Sequence, residues 1–394
     1  MQRFFLLLLF GLQATFFCAQ NYVKTNLWQD TTLMDDSKVD GIIYIKKNND
    51  FFVDNNFLVT KSIKIDDFKE KDDASKFEKA IQVLKKLNGG TLVINNNLTF
   101  NRKIIINNLR GIEIVGNKAS YSLQGGLFTG STIIFQNNSS LVISDFIDLK
   151  IKNVNFFNTE KNHKQMLELY KGYDFEIDNV KIRSANSFQS IALSLGKYDG
   201  ENAVFQGKIS RLNVIDNDGG IGVFTGDSNT SLTFENCYLQ GCSFNIEGTI
   251  YSSIISCAVD GSPNNGYNLK KGPKSNTHSI TFISSGAESA NKSGWYIDSG
   301  SYLIEIISPH SGHNNVGKYR NIGALMTIDN TNPTYDVSNI KISSPSSFNN
   351  SKNWDIYIAS PKVGEVILSN IYKKAFSYGI GYHQDWDKAN LKVF

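Results

Sequence analysis

A six-residue phrase returns through most of this chain at steps of 20 to 32 residues. Its copies are IKNVNF (Ile151 to Phe156), IDNVKI (Ile177 to Ile182), ISRLNV from Ile209, FENCYL (Phe234 to Leu239) and IISCAV (Ile254 to Val259). It recurs as FISSGA from Phe282, IISPHS from Ile306, VSNIKI from Val337 and LSNIYK from Leu368. The pattern is apolar, two residues, apolar or small, one residue, apolar. The fourth position falls at Val154, Val180, Leu212, Cys237, Cys257, Ser285, Pro309, Ile340 and Ile371, so successive steps are 26, 32, 25, 20, 28, 24, 31 and 31 residues. One short strand per step, with turns of variable length between, predicts a solenoid. A second apolar run recurs between copies: MLELY at Met166, SIALSL at Ser190, IGVF at Ile221, FNIEG at Phe244, YNLKK at Tyr267, WYIDS at Trp295, LMTI at Leu325 and IYIAS at Ile356. Each coil therefore carries at least two strands. Eight steps stack into a rod of roughly 40 Å at the ordinary strand spacing.

No helical period follows Leu87, which excludes strand-to-helix alternation. The fold class expected is all-β: a single-stranded right-handed parallel β-helix. The 394 residues are 41% hydrophobic and 20% charged, ample for a core. A net charge of +3 gives no nucleic-acid footprint. Residues 1–20 read as a secretory signal, with Arg3 ahead of the apolar run Phe4 to Phe10. The run is too short for a membrane span, and no later segment supplies one. Cys18 raises a lipoprotein reading, which the bulky Thr15-Phe16-Phe17 before it disfavours. The expected location is secreted, periplasmic or cell-surface. Three cysteines remain after cleavage: Cys237, Cys242 and Cys257. An odd count is no disulfide framework, and buried stacking inside the solenoid is the plainer reading. Residues 21–65 form a separate small β segment, with strands expected at Gly41 to Lys46, Phe51 to Val53 and Phe57 to Val59.

A helix follows at about 74–87. Phe77, Ala80, Ile81, Leu84 and Leu87 make one apolar stripe, Asp72 or Asp73 caps the start, and Asn88-Gly89-Gly90 ends it. The stretch KDDASKFEKAIQVLKKLNGGTLVI, an Asp-Asp turn, amphipathic helix, Gly-Gly-Thr and apolar strand, resembles the entry to the pectate-lyase-like right-handed β-helix superfamily. Lys69-Glu70-Lys71 replaces that superfamily's usual Gly-Asp-Gly, and Asn95-Asn96-Asn97 its usual Pro-Gly. The resemblance implies that the helix plugs the first coil, covering edges that would otherwise template aggregation. It places the β-helix at 66–394, with regular coils at about 91–375 and a C-terminal cap at 376–394. MDDSKVDGIIYIKK, ahead of the helix, resembles the head of phage tailspike-like members, which are often trimeric. A homotrimer is thus an expectation carried by the resemblance.

Alternate residues of a strand point outward, so aligned phrases give outward columns. The residue after each phrase is Phe157, Arg183, Ile215, Gln240, Asp260, Glu288 and Gly312, which makes Asp260 and Glu288 neighbours. In the second strand the column reads Phe224, Glu247, Lys270 and Asp298. Neighbouring carboxylates suit glycoside hydrolysis, and a Lys between acids equally suits an ordinary surface ion pair. Asp216, Asp218 and Asp227 flank Gly219-Gly220 in an Asp-bearing turn that loosely resembles those of polygalacturonase-like β-helices, without their Asp-Asp pair or Gly-His-Gly. His310 and His313 lie close to Tyr319 and Arg320. A polysaccharide lyase needs a base for the proton at C5 of a uronic acid and a cation for its carboxylate. Lys270, His310, His313 and Arg320 are candidates for those roles, and Trp295 and Tyr296 for stacking on sugar if exposed. Glu247, Asp298, Asp216 and Asp218 complete the substrate-binding candidates. No metal site is expected, since His-x-x-His lacks an acidic third ligand, and nothing supports calcium or another cofactor.

The superfamily's usual work is cleavage of acidic or complex polysaccharide, by elimination or hydrolysis. The resemblance implies a secreted polysaccharide-degrading enzyme, and the basic residues beside the acidic columns favour a lyase. A hydrolase using Asp260 and Glu288, or a non-catalytic carbohydrate-binding solenoid, would show the same columns.

Overall fold

The computed structural model describes residues 22–25, 44–47, 50–54, 61–122, 127–160, 165–184, 190–197, 200–215, 219–348, 350, 354–372 and 378–394. The chain winds into a right-handed parallel β-helix. Each regular coil has three strands, within the expectation of at least two, and successive coils stack them into three parallel sheets. One coil illustrates the order: Ile221–Thr225 in sheet 1, Thr230–Glu235 in sheet 2 and Tyr238–Gln240 in sheet 3. Among the described residues sheet 3 holds ten strands, from Leu98–Phe100 to Ser346–Phe348. In the early coils single bent strands, such as Gln165–Asp178, run through sheets 1 and 2 together.

The recurring phrase is a corner, not a strand. It spans the end of a sheet 2 strand and the start of a sheet 3 strand, and its third residue is left-handed. Asn153, Asn179, Arg211, Asn236, Ser256, Ser284, Ser308, Ser344 and Asn370 all have φ between 49° and 56°. One left-handed residue between extended ones turns the chain sharply, and Asn and Ser tolerate that conformation better than bulkier residues. The fourth position then points inward; Val154, Val180, Leu212, Cys237, Cys257 and Ser285 are buried there. Among the described residues the free thiols Cys237, Cys242 and Cys257 are all buried. Cys257 Sγ accepts from Cys237 N at 3.4 Å, and Ser285 Oγ accepts from Cys257 N at 3.3 Å. Small polarisable side chains thus serve the corner amide of the coil before them.

Register corrects one copy of the phrase. Ile306 pairs with Ile342, so the corner after IISPHS is Ile342 to Ser347, not VSNIKI. VSNIKI mimics the phrase because Asn339 is itself left-handed, φ 54°. It belongs to a second left-handed ladder that crosses sheet 2: Gly111, Asp148, Asp174, Gln206, Ser231, Tyr251, Ser279, Leu303 and Asn339. Two members suit it poorly. Leu303 (φ 52°) and Tyr251 (φ 48°) are branched or bulky and exposed; Tyr251 meets the His278 ring edge-on at 5.5 Å, whereas Leu303 is buried against nothing among the described residues that would require it. Leu303→Asn should therefore raise stability by up to about 1 kcal/mol, and Asn339→Leu should lower it by a similar amount. Chemical denaturation of the two variants beside wild type measures both; equal signs would show that the ladder carries no strain.

The cap forms as a local argument predicts. Helix α1 (Asp73–Lys86) buries Ala74, Phe77, Ala80, Ile81, Val83 and Leu84. Asp72 Oδ1 accepts from Ser75 N at 2.8 Å, satisfying one of the open amides of the first turn. Asp73 instead reaches the solenoid, accepting from Thr99 N at 2.9 Å. Phe77 packs on Phe100 at 5.3 Å, so the helix closes the first coil. Gly89 and Gly90 are required where they stand: a Cβ would lie 2.6 Å from Gly111 O and 2.4 Å from Lys61 O. The solenoid begins at Ser62–Lys64, which pairs with Thr91–Val93, ahead of the boundary expected at 66. It also continues past 375, because Ile380–Tyr382 and Leu391–Val393 extend sheets 1 and 2. Ahead of it, Tyr22–Thr25, Asp50–Asp54 and Tyr44–Lys47 form a small antiparallel sheet. The signal segment and the strand expected at 57–59 lie outside the described residues. Among the described residues no helix is long and apolar enough to cross a membrane.

Candidate active site

Sheet 1 carries a groove of about 480 Å³ between residues 219 and 298. Two outward columns floor it. Register pairs Phe224 with Asn245, Asn245 with Asn268 and Asn268 with Tyr296. Two residues further along the strands, Glu247 pairs with Lys270, and Asp298 follows on the next coil. Phe224 thus belongs to the asparagine column, not the acidic one, because of a register shift between Ile221 and Val223.

Glu247 is the unusual member. Its residue is only 3% exposed. Oε1 lies 3.2 Å from Lys270 Nζ, whereas Oε2 is buried with no hydrogen-bond partner among the described residues. A buried carboxylate oxygen left unpaired is costly, and such groups concentrate where chemistry uses them. Asparagines extend the floor: Asn268 Nδ2 donates to Asn245 Oδ1 at 2.9 Å, and Asn265 Nδ2 to Asn268 Oδ1 at 2.9 Å. Tyr296 donates its hydroxyl to Asp329 Oδ2 at 3.0 Å. Burial, and then the negative charges of Asp298 and Asp329, push the Tyr296 phenol well up, so it stays protonated. Lys292 joins the wall from the loop between sheets 3 and 1.

The candidate residues do not all converge here. Glu247, Lys270, Tyr296 and Asp298 share the groove. Asp298 is committed to its turn, however: its Oδ1 accepts from Ser299 N at 2.7 Å and Thr331 N at 2.9 Å. Trp295 is wholly buried, stacked on Tyr267 at 5.1 Å, so it fills the core and does not meet a sugar. Asp227 is likewise buried and ties down a loop through Lys274 N and Ser275 N. Asp216 and Asp218 lie outside the described residues. Arg320 is exposed on the loop 313–322, which bonds back to the groove wall through Asn315 N to Lys292 O at 2.7 Å.

Asp260, Glu288 and His310 sit on sheet 3 instead. Asp260 pairs with Glu288 in register. Tyr238 donates to Asp260 Oδ2 at 3.1 Å, and burial together with that carboxylate pushes its phenol up to about 12. His310 Nε2 lies 3.3 Å from Glu288 Oε1. His313 occupies the left-handed turn that leaves the sheet, φ 54°, with its ring 5.9 Å from Phe348. Asn245, Asn268, Lys292 and Asp329 escaped the sequence reading. Two-residue alternation back from Glu247 and Lys270 was the signal for both asparagines. Among the described residues no group of three or more His, Cys, Asp or Glu is placed to hold a metal.

No family model matches the sequence, and no curated protein matches it. Solved structures do match. The A-module of mannuronan C-5 epimerase AlgE4 from Azotobacter vinelandii superposes with a TM-score of 0.52 at 12% identity, over 84% of this chain and 97% of that one. The catalytic domain of a GH87 α-1,3-glucanase in complex with nigerose gives 0.53 at 10% identity, over 88% and 72%. The enzymatically active domain of bacteriophage CBA120 tailspike protein 2 gives 0.58 at 10% identity, over 83% of this chain and 49% of that one. At these identities the likeness is one of fold: this chain is a right-handed parallel β-helix.

Proposed function

We propose that this protein is an enzyme that cleaves an acidic polysaccharide by β-elimination in the sheet 1 groove. The observation that carries the reading is Glu247, a buried carboxylate with one oxygen on Lys270 and the other unpaired. Glu247 takes the proton from C5 of a uronic acid. Once Glu247 is neutral, its hold on the Lys270 ammonium weakens, and that ammonium holds the charge that develops on the substrate carboxylate. The C4–O bond breaks, and the protonated Tyr296 hydroxyl supplies the proton for the leaving oxygen. The asparagine ladder offers donors and acceptors to sugar hydroxyls along the floor. Lys292 adds a second positive charge at the wall. The fold shared with polysaccharide-acting enzymes supports a substrate of this class and an extracellular place of work.

A screen of uronic-acid and neutral polysaccharides tests the reading. The expected result is a product with the ultraviolet absorbance of a 4,5-unsaturated uronate. Reducing ends without that absorbance would replace elimination with hydrolysis. Retention of the protein in a polysaccharide gel with neither signal would leave a binding module.

A further inference from the structure

On sheet 3, away from the groove, three side chains from successive coils lie in one line, joined by one hydrogen bond and one ion-pair contact. Ser346 Oγ lies 2.9 Å from His310 Nδ1, and His310 Nε2 lies 3.3 Å from Glu288 Oε1. The stacking that makes this line is well defined. His310 pairs with Ser346 in register, and Gly286 pairs with His310 on the other side. Gly286 packs against His310, where even a Cβ would lie at ordinary contact distance, 3.7 Å from His310 Cβ. The ring's other flank is fixed by Phe348, 4.9 Å away and 40% exposed.

The tautomer follows from the partners. An ionised carboxylate only accepts, so the Glu288 charge beside Nε2 favours the proton there. Neutral His310 then presents the Nδ1 lone pair to the Ser346 hydroxyl. A serine hydroxyl on a histidine that is held by a carboxylate is the constellation that activates serine as a nucleophile.

We infer that Ser346, His310 and Glu288 form a nucleophile–base–acid triad that hydrolyses short O-acyl esters of sugar hydroxyls. The sugar part of this inference rests on the function proposed above; the ester chemistry does not. Ser346 Oγ attacks the ester carbonyl carbon while its proton passes to His310 Nδ1, and Glu288 stabilises the imidazolium at Nε2. The bond to the alkoxy oxygen breaks, and that oxygen leaves with the proton from Nδ1, giving acyl-Ser346. A water then loses a proton to Nδ1 and attacks the acyl carbon. Ser346 departs with that proton, and the free carboxylic acid is released. Phe348 provides the apolar wall for a short acyl chain, and the open surface of sheet 3 admits a polymer-borne ester.

The test uses p-nitrophenyl acetate and the full chain. It carries no sugar, so its result is independent of whether polysaccharide is cleaved in the groove. Turnover above buffer is expected, with a loss of about 100-fold or more in both Ser346→Ala and His310→Gln. A fluorophosphonate probe should modify Ser346, mapped by peptide mass spectrometry, and His310→Gln should slow the labelling to a similar degree. Circular dichroism checks that both variants are folded. Absence of turnover and of labelling would overturn the triad. So would labelling of Ser346 at an unchanged rate in His310→Gln, because the hydroxyl would then not be activated by the imidazole.

Discussion

Glu247→Gln should lower kcat on the responsive polysaccharide by about 10² to 10⁴, the range for loss of a positioned general base. The change keeps the size and shape of the side chain and removes only its charge and basicity. The Glu247–Lys270 ion pair is lost, so a modest change in stability is also expected, without loss of the fold. The division between kinetic constants discriminates roles. A fall in kcat with KM little changed places Glu247 in the chemical step, whereas a rise in KM alone would make it a binding group. Activity within a few-fold of wild type would remove Glu247 from the mechanism. Asp260→Asn is the companion variant: it alters a carboxylate on sheet 3 and should leave polysaccharide cleavage in the groove intact.

Trp295→Ala should be the most destabilising of the substitutions considered, by about 3 to 5 kcal/mol. Trp295 is fully buried, stacked on Tyr267 and edge-on to Phe282 at 6.3 Å. Its Nε1 is buried without a partner among the described residues. Trp295→Phe removes that unpaired donor along with part of the ring, so it should cost clearly less than alanine. In a solenoid each coil leans on its neighbours, so the loss should appear first as local opening. Amide exchange across 267–328 reports it, and melting reports the total. Because Tyr296 is the next residue on the same strand, polysaccharide activity should fall with the alanine variant even where the fold survives. Melting unchanged from wild type would contradict the packing.

Much of this was legible because it is local. Helix α1 announces itself through Phe77, Ala80, Ile81 and Leu84 at helical spacing and through an aspartate before its first turn. The pairs Glu247–Lys270 and Asp260–Glu288 follow from strand alternation and the repeat. The parity that turns Asp298 and Tyr296 outward also turns Trp295 inward, a signal present in the sequence but not used. What could not be read was the face. The corner phrase says how the chain bends once; it is silent on the lengths of the other two turns. Lys270 and His310 therefore look like companions in sequence and sit on different sheets. VSNIKI misled for a related reason, since two different bends share one local conformation.

From Asn153 on, the corner between sheets 2 and 3 keeps one length, whereas the turn from sheet 3 back to sheet 1 ranges from residues 241–242 to residues 313–322 and the turn from sheet 1 to sheet 2 from residues 248–249 to residues 329–337. Length variation thus falls mainly on the two rims that flank sheet 1, and one of them is where Asn264, Asn265 and Lys292 wall the groove. Insertions there can reshape what the groove admits while the stacked coils beneath keep their cross-section. The scaffold behaves as a fixed keel with an interchangeable gunwale, so grafting longer loops at 261–266 or 289–294 is the natural route to altering which glycan it accepts.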